Sequence, residues 1–313
     1  PGPVWLDIPL NVQGALIEEN DLLAEEATEN LLTAMNDDKI SLLIDELRKA
    51  ARPLIVAGHG IRISNAQKEF LELVQLLGIP VVTTFNGFDL MASDDKNFIG
   101  RIGTLGNRAG NFSLQNADLV IFIGTRNNIR QLSYNWESFA RYAKKIIVDI
   151  DNAELHKKTL KGDILIHSDA KDFIKKFLEN IPHGFKVDQR WLDWCLLRKK
   201  KYPVVLEEYK TPSGRQGVHP YYFIEELTGA LNNNALVVAG NGTACVALFQ
   251  AGRVKSGQRM FWNSGCASMG YALPASIGAA KAAGQEVICI TGDGSIQMNL
   301  QELQTIRHYA LPI

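Results

Sequence analysis

Ile288-Cys289-Ile290-Thr291-Gly292-Asp293-Gly294-Ser295, followed by Met298-Asn299-Leu300-Gln301-Glu302-Leu303, is the stretch on which the reading of this chain turns. Its first three residues are apolar without a break, as in a strand covered on both faces, and covered strands are the mark of a parallel sheet. Two glycines then allow a tight turn, and the residues from Met298 onward predict a helix. A strand passing through Gly-Asp-Gly into a helix has a chemical use. Glycine lets the backbone approach phosphate oxygens closely. The Ser295 hydroxyl and the free N–H groups of a helix start can donate to those oxygens, and Asp293 offers a hard oxygen suited to Mg²⁺. As a purely structural residue, Asp293 would be a helix N-cap.

Outward from that turn the alternation repeats. Apolar runs at Leu54–Ala57, Pro80–Thr83, Leu119–Ile123, Ile146–Ile150 and Ile164–Ile166 are separated by helical spacings such as Phe70, Leu71, Val74 and Leu77, and the last run is followed by Phe173, Ile174 and Phe177. Strand and helix in alternation predict a doubly wound parallel sheet over residues 35–180. Residues 181–216 lose the strand runs and are punctuated by Pro182, Gly184, Pro203, Pro212 and Gly214. They read as a linker around one helix at Trp191–Tyr202. Alternation resumes over 217–313: a helix at Pro220–Leu231, a strand at Ala235–Ala239, a helix after Thr243, a strand at Met260–Trp262, a helix from Ser268, then the strand and helix already quoted. The fold class expected is therefore α/β, with two doubly wound parallel-sheet domains of which the second is incomplete.

Size and charge narrow the classes further. The 313 residues suffice for two cores, and 46% apolar with 21% charged residues is ordinary for a globular protein. A formal net charge of −1 gives no electrostatic reason to expect nucleic acid. No membrane span is expected, and Lys199-Lys200-Lys201 reads as a solvated helix face. Cys195, Cys245, Cys266 and Cys289 are scattered without metal-ligand spacing, with Cys289 expected as a buried free thiol; this suits a reducing cytoplasm. A first residue other than Met and the lack of a leader suggest a piece of a longer protein.

Three ordered stretches carry a family resemblance. Gly292-Asp293-Gly294-Ser295 running into Met298–Leu303 resembles the start of the thiamine-diphosphate motif, in which a later Asn pair completes the Mg²⁺ site. Asn263-Ser264-Gly265-Cys266-Ala267-Ser268-Met269-Gly270-Tyr271-Ala272-Leu273-Pro274-Ala275 resembles the acetolactate synthase turn ending in Met-Gly and a Leu-Pro-Ala helix. Pro1-Gly2-Pro3-Val4-Trp5-Leu6-Asp7-Ile8-Pro9 is similar to the segment closing the pyrimidine-binding domain of those enzymes.

The resemblance implies that residues 1–34 are the end of that domain with a linker, 35–180 a central domain, and 217–313 a diphosphate-binding domain. It implies thiamine diphosphate and Mg²⁺ as cofactors, with Asp293 on the metal and Gly292, Gly294 and Ser295 near the diphosphate. Asn241, Gly242 and Thr243 would form a second phosphate-facing turn; there Thr243-Ala244 stands where the family usually has Gln-His. Met269 would hold the cofactor in its bent form while the backbone near Ala267, Ser268 and Met269 meets the aminopyrimidine, so that the cofactor acts as its own base. The implied activity is 2-oxo acid decarboxylation with carboligation, in a cytoplasmic homo-oligomer. A simple decarboxylase is the alternative enzyme, and a flavin- or nucleotide-binding structural module the alternative of another class. FAD is a candidate ligand through Gly58-His59-Gly60, Gly124-Thr125-Arg126 and Asp149-Ile150-Asp151, His59 itself reading as a hydrogen-bonding spacer. The activating Glu is expected upstream of Pro1, which leaves no catalytic residue here and predicts a chain inactive by itself. Glu225, Glu226 and Glu302 read as structural. The loops Gly265–Met269 and Gly292–Gln297 are expected to lack partners without cofactor.

Overall fold

The structure, a computed structural model, describes residues 4–18, 20, 22, 37–185, 187–211 and 217–313. The described residues before 32 fall in a unit of their own, and the helical turn Leu10–Gln13 there carries no buried residue. Of the resembling stretch Pro1–Pro9, Pro1, Gly2 and Pro3 lie outside the described residues.

The larger unit holds two parallel sheets. The first contains β1 (Pro53–Ala57), β2 (Val81–Thr83), β3 (Phe98–Arg101), β4 (Leu119–Ile123), β5 (Lys144–Asp149) and β6 (Ile164–His167). Their order is β3-β2-β1-β4-β5-β6, every pair parallel. Continuous apolar runs work here because both faces are covered. Ile55, Ile121, Ile146 and Ile166 face α1 (Asp37–Lys49), α2 (Gln67–Leu77) and Phe173, Ile174 and Phe177 further on. Leu54, Val56, Val120 and Phe122 face the opposite way, toward α3 (Arg108–Asn116). Phe173, Ile174 and Phe177 belong to α4 (Ala170–Asn180).

The stretch read as a linker contributes a core element. Within 181–216, α5 (Gln189–Lys201) buries Trp191, Leu192 and Cys195 in the same cluster as Leu54 and Phe122, and the Trp191 indole donates to Pro53 O at 2.9 Å. Nor are the three lysines equivalent. Lys200 and Lys201 are exposed, but Lys199 is half-buried and its Nζ donates to Ser93 O (2.9 Å) and Phe98 O (2.6 Å). Burial, and after it the charge of Arg101, pulls the Lys199 ammonium from 10.5 down to about 8. In the unfolded chain the lysine regains its ordinary value, so between these pH values the unfolded state binds more protons. Stability from this group is lowest below about pH 8 and rises as pH increases toward 10.5. Such a shift corresponds to roughly 3 kcal/mol. Lys199→Met should therefore flatten the pH dependence between those limits, which urea denaturation at stepped pH would register; parallel curves for variant and wild type would contradict it.

The second sheet has the order β8-β7-β9, from β7 (Leu236–Ala239), β8 (Arg259–Trp262) and β9 (Val287–Ile290). Val237, Ala239, Met260 and Trp262 face α6 (Pro220–Ala230) and α7 (Thr243–Ala251), whereas Val238 and Val287 face α8 (Ala272–Ala283). Two helices differ from expectation. The one placed from Ser268 begins at Ala272, because Ala267 (φ 53°) and Gly270 (φ 86°) hold left-handed backbone that no helix accommodates. The one placed from Met298 begins at Glu302 as α10 (Glu302–His308), residues 298–301 being turns, and a separate short helix, α9 (Asp293–Gln297), stands before it. Cys289 is half-buried rather than buried, and burial pushes its thiol up; all four cysteines are free.

The two sheets share a seam. Phe85 and Phe88, from the loop after β2, pack with Phe249 and Trp262 at centroid distances of 4.2 to 6.2 Å.

Candidate functional site

Parallel pairing brings the C-terminal ends of β7, β8 and β9 to one edge, with Ala239 opposite both Trp262 and Ile290. The helices that follow β7 and β8, α7 and α8, cover opposite faces, so connections diverge around the central β7. Open α/β sheets bind ligands in the crevice outside such a switch point. Three turns meet there, after β7, β8 and β9, and these turns with the helix starts of α7 and α9 contain every residue read as cofactor-binding.

The turns are joined to one another. Gly240 N–H donates to Ile290 O at 2.8 Å. A Cβ on Gly240 would stand 3.7 Å from Ser295 Oγ. Gly270 N–H donates to Ser295 Oγ at 2.9 Å, and Asn299 Nδ2 donates to Gly270 O at 2.7 Å. The Met269 methyl lies 3.3 Å from where a Cβ on Gly294 would be. Between the loops Gly265–Met269 and Gly292–Gln297 themselves the contact is that of Met269 with Gly294, and Gly270, one position past the first loop, adds its hydrogen bond to Ser295 of the second. Asn299 and Gly270 were not among the predicted site residues, and both make these joining contacts.

Local chemistry leaves the outer side of the turns open. Nothing stands within 4 Å of a Cβ built on Gly242, Gly265 or Gly292, and Gly242 has φ 62°, which favours glycine. The first bond of α7 runs from Val246 N to Gly242 O, so the N–H groups of Thr243, Ala244 and Cys245 have no acceptor within the helix. In α9 the first is Ile296 N to Gly292 O, which leaves those of Asp293, Gly294 and Ser295. Ser295 is buried, and because its Oγ accepts from Gly270 it keeps its own hydrogen to donate. Asp293 and Thr243 are exposed at the rim. Ala267 holds left-handed backbone at a cost of roughly 1–2 kcal/mol, and strain of this kind collects at ligand-binding turns.

This donor set suits a diphosphate with Mg²⁺. Among the described residues no three His, Cys, Asp or Glu side chains converge. A cation at Asp293 would draw its other ligands from phosphate oxygens, amide oxygens and water, the coordination Mg²⁺ favours. Glu225 is paired with Arg253 at 2.7 Å.

The first sheet has its own switch point between β1 and β4, and there the backbone fills the crevice. Gly60 N–H donates to Gly124 O at 2.8 Å, and a Cβ on Gly58 would lie 2.2 Å from the same oxygen. Arg126 donates from Nε to Glu154 at 2.6 Å. A nucleotide at this end would lie over these turns rather than between them. His59 is hydrogen-bonded to the Asn86 backbone, as a spacer would be; its Nδ1 is buried, and burial followed by the charge of Arg259 pushes the imidazole down. It lines a cavity of about 190 Å³ with Asn86, Trp262 and Tyr271 at the seam.

Comparison with known proteins places these features. Residues 40–177 match the family model "Thiamine pyrophosphate enzyme, central domain", and residues 240–313 match "Thiamine pyrophosphate enzyme, C-terminal TPP binding domain". The whole chain aligns at 30% identity with 54% of a probable acetolactate synthase large subunit from Methanococcus aeolicus. It aligns equally at 30% with 54% of the acetolactate synthase isozyme 1 large subunit of Escherichia coli K12, and at 28% with 47% of the chloroplastic acetolactate synthase of Arabidopsis thaliana. The chain spans about half the length of the curated relatives it matches.

Proposed function

We propose, for a chain that belongs to the thiamine pyrophosphate enzymes through its central and C-terminal binding domains, that it supplies the diphosphate- and Mg²⁺-binding part of a 2-oxo acid decarboxylase that joins the remaining fragment to a carbonyl acceptor. The observation carrying this reading is the meeting of the turns after β7 and β9 at Gly240 and Ser295, with Asp293 exposed beside them.

Thiamine diphosphate, when bound, supplies the nucleophilic carbon and the electron sink that decarboxylation needs. The chain's own groups bind and orient. Amides of Thr243 and Ala244 would meet one phosphate and those of Gly294 and Ser295 the other, with the Ser295 hydroxyl donating beside them. Asp293 would hold Mg²⁺. Gly292 and Gly242 let the backbone close on the phosphates, with Asn241 at the mouth of the turn. Met269, leaning over Gly294, would hold the cofactor from the side of the third turn, Ala267 and Ser268 presenting backbone to its ring.

Short side chains at Thr243 and Ala244 are the observation that keeps a second reading, decarboxylation alone or carboligation on an uncommon acceptor. FAD enters only as a ligand lying over the turns of the first sheet, with no part in the chemistry. A homo-oligomer in a reducing cytoplasm, acting on small molecules, completes the proposal; it agrees with four free cysteines and with there being, among the described residues, no helix long and apolar enough to cross a membrane.

The test is turnover by the whole protein that carries this chain, with pyruvate, thiamine diphosphate and Mg²⁺, following CO₂ and carbon products by NMR. CO₂ release that requires both cofactors, with a matching amount of ligated product, is the expected result. Free aldehyde in place of ligated product would favour the second reading, and no cofactor-dependent CO₂ from any 2-oxo acid would sink both.

A further inference from the structure

The turn between β8 and α8 stands on two feet, Ser264 and Gly270, and each is tied to a residue outside the turn. Ser264 is buried and donates from Oγ to Asn86 Oδ1 at 2.6 Å, in the loop after β2. Gly270 is buried with φ 86°, a conformation that favours glycine, and a Cβ there would lie 2.6 Å from Asn299 Nδ2 and 3.0 Å from Met298 Cβ. Between the feet the chain bows outward: Gly265, Cys266, Ser268 and Met269 are exposed, and Ala267 holds left-handed backbone.

Buried peptide groups need partners, and the two of Gly270 find them far along the chain. A carbonyl at the entry to a helix is ordinarily met by the N–H four positions on; for Gly270 that residue is Pro274, which has none. Asn299 Nδ2 supplies the missing donor at 2.7 Å, as Ser295 Oγ supplies the acceptor for Gly270 N–H at 2.9 Å. Asn299 is itself fixed. Its main-chain N–H donates to Ile296 O at 3.3 Å, its carbonyl accepts from Glu302 N–H at 3.0 Å, and its Oδ1 accepts from Gln301 Nε2 at 3.4 Å, which leaves the amide nitrogen to face Gly270. Both ties to Gly270 thus come from one short segment, 295–299, that follows directly on Asp293.

We propose that Asn299 is a positioning residue for the cofactor. Through Gly270 O it locks the turn bearing Ala267, Ser268 and Met269 to the turn bearing Asp293 and Ser295, so that the ring-facing and phosphate-facing halves of the site form one receptor before a ligand arrives. A preformed site binds more tightly because less ordering is left for the ligand to impose. Without the Asn299 side chain, Gly270 keeps its bond to Ser295 while its carbonyl is left without that donor, and the ring-facing turn is held less firmly at this foot. The inference rests on thiamine diphosphate being the ligand of these turns, and adds which residue holds the ring end of the site to the diphosphate end.

Calorimetric titration of the whole protein that carries this chain, with Mg²⁺ saturating, tests it by comparing thiamine diphosphate with inorganic pyrophosphate, which lacks the ring. Asn299→Ala should weaken thiamine diphosphate binding about tenfold, the scale of one hydrogen bond to a buried group, and leave pyrophosphate binding within about twofold of wild type. Asn299→Asp, which keeps the shape but turns an acceptor toward Gly270 O, should lose at least as much for thiamine diphosphate. The main-chain bonds of Asn299 do not involve its side chain, so both variants should fold. If neither does, wild-type crystals decide: with Mg²⁺ and pyrophosphate alone, Asn299 Nδ2 should stay within hydrogen-bonding distance of Gly270 O and residues 265–269 should stand where they stand with thiamine diphosphate. Equal losses for the two ligands, no loss for either, or a turn displaced between the two crystals would overturn the inference and leave the cofactor assignment standing; a wild type that does not bind thiamine diphosphate would overturn both.

Discussion

Asp89→Ala should destabilise the protein by about 3–5 kcal/mol, the range for removing one partner of a buried ion pair. The Asp89 side chain, in the loop after β2, is wholly buried, and Arg259 Nη1 (2.7 Å) and Met260 N–H (2.8 Å) from β8 both donate to its Oδ2. Arg62 Nη2 lies 3.1 Å from the other oxygen while donating to the Asp89 main-chain carbonyl at 3.0 Å. One carboxylate thus holds two arginines and a strand amide across the seam. Alanine leaves both guanidinium groups uncompensated and an N–H without its acceptor, each a separate penalty. Asp89→Asn, which keeps the shape and loses the charge, should fall between. Urea denaturation measures all three proteins; a loss under about 1 kcal/mol for alanine would mean that the arginines find water or another acid.

Asp293→Ala should weaken Mg²⁺-dependent binding of thiamine diphosphate by at least about 100-fold. Loss of residues that merely orient metal ligands commonly costs 10–100-fold in affinity, and Asp293 is proposed as a ligand itself. Mg²⁺ holds near-ideal octahedral geometry and does not readily accept a replacement at a different distance. Folding should be nearly unaffected, since Asp293 is exposed and its contribution as an acid in the first turn of α9 amounts to some 0.3–1 kcal/mol. Calorimetry with Mg²⁺ and with EDTA, on a variant of unchanged melting temperature, separates the two effects. Wild-type affinity in that variant would remove Asp293 from the metal.

Strands such as Leu54–Ala57 and Leu119–Ile123 were legible in sequence because burial on both faces demands unbroken apolar runs. Phe98–Arg101 was not, since β3 contains Gly100 and a charged residue. Arg101 is tolerated there because Phe88 stacks on it at 4.2 Å and the carbonyls of Gln250 in α7 and of Gly252 just past it, some 150 positions later, accept from it. The helix Gln189–Lys201 was read as part of a linker because its basic C-terminal turn hid a short apolar face, Trp191, Leu192 and Cys195. At the candidate site the glycine turns stood out by themselves. What joined them did not: Gly270 and Ser295 are 25 positions apart, Gly270 and Asn299 are 29, and no local pattern marks either pair. Asp89 carries no signal at all, since its partners come from Arg62 and from β8.

A crystal structure of the whole protein with thiamine diphosphate and Mg²⁺ bound tests the central claim most directly. The account predicts a diphosphate spanning from the amides of Gly242–Ala244 to those of Gly294 and Ser295, with the metal on Asp293 and the Met269 side chain against the cofactor. A diphosphate bound elsewhere, or a metal held without Asp293, would contradict it.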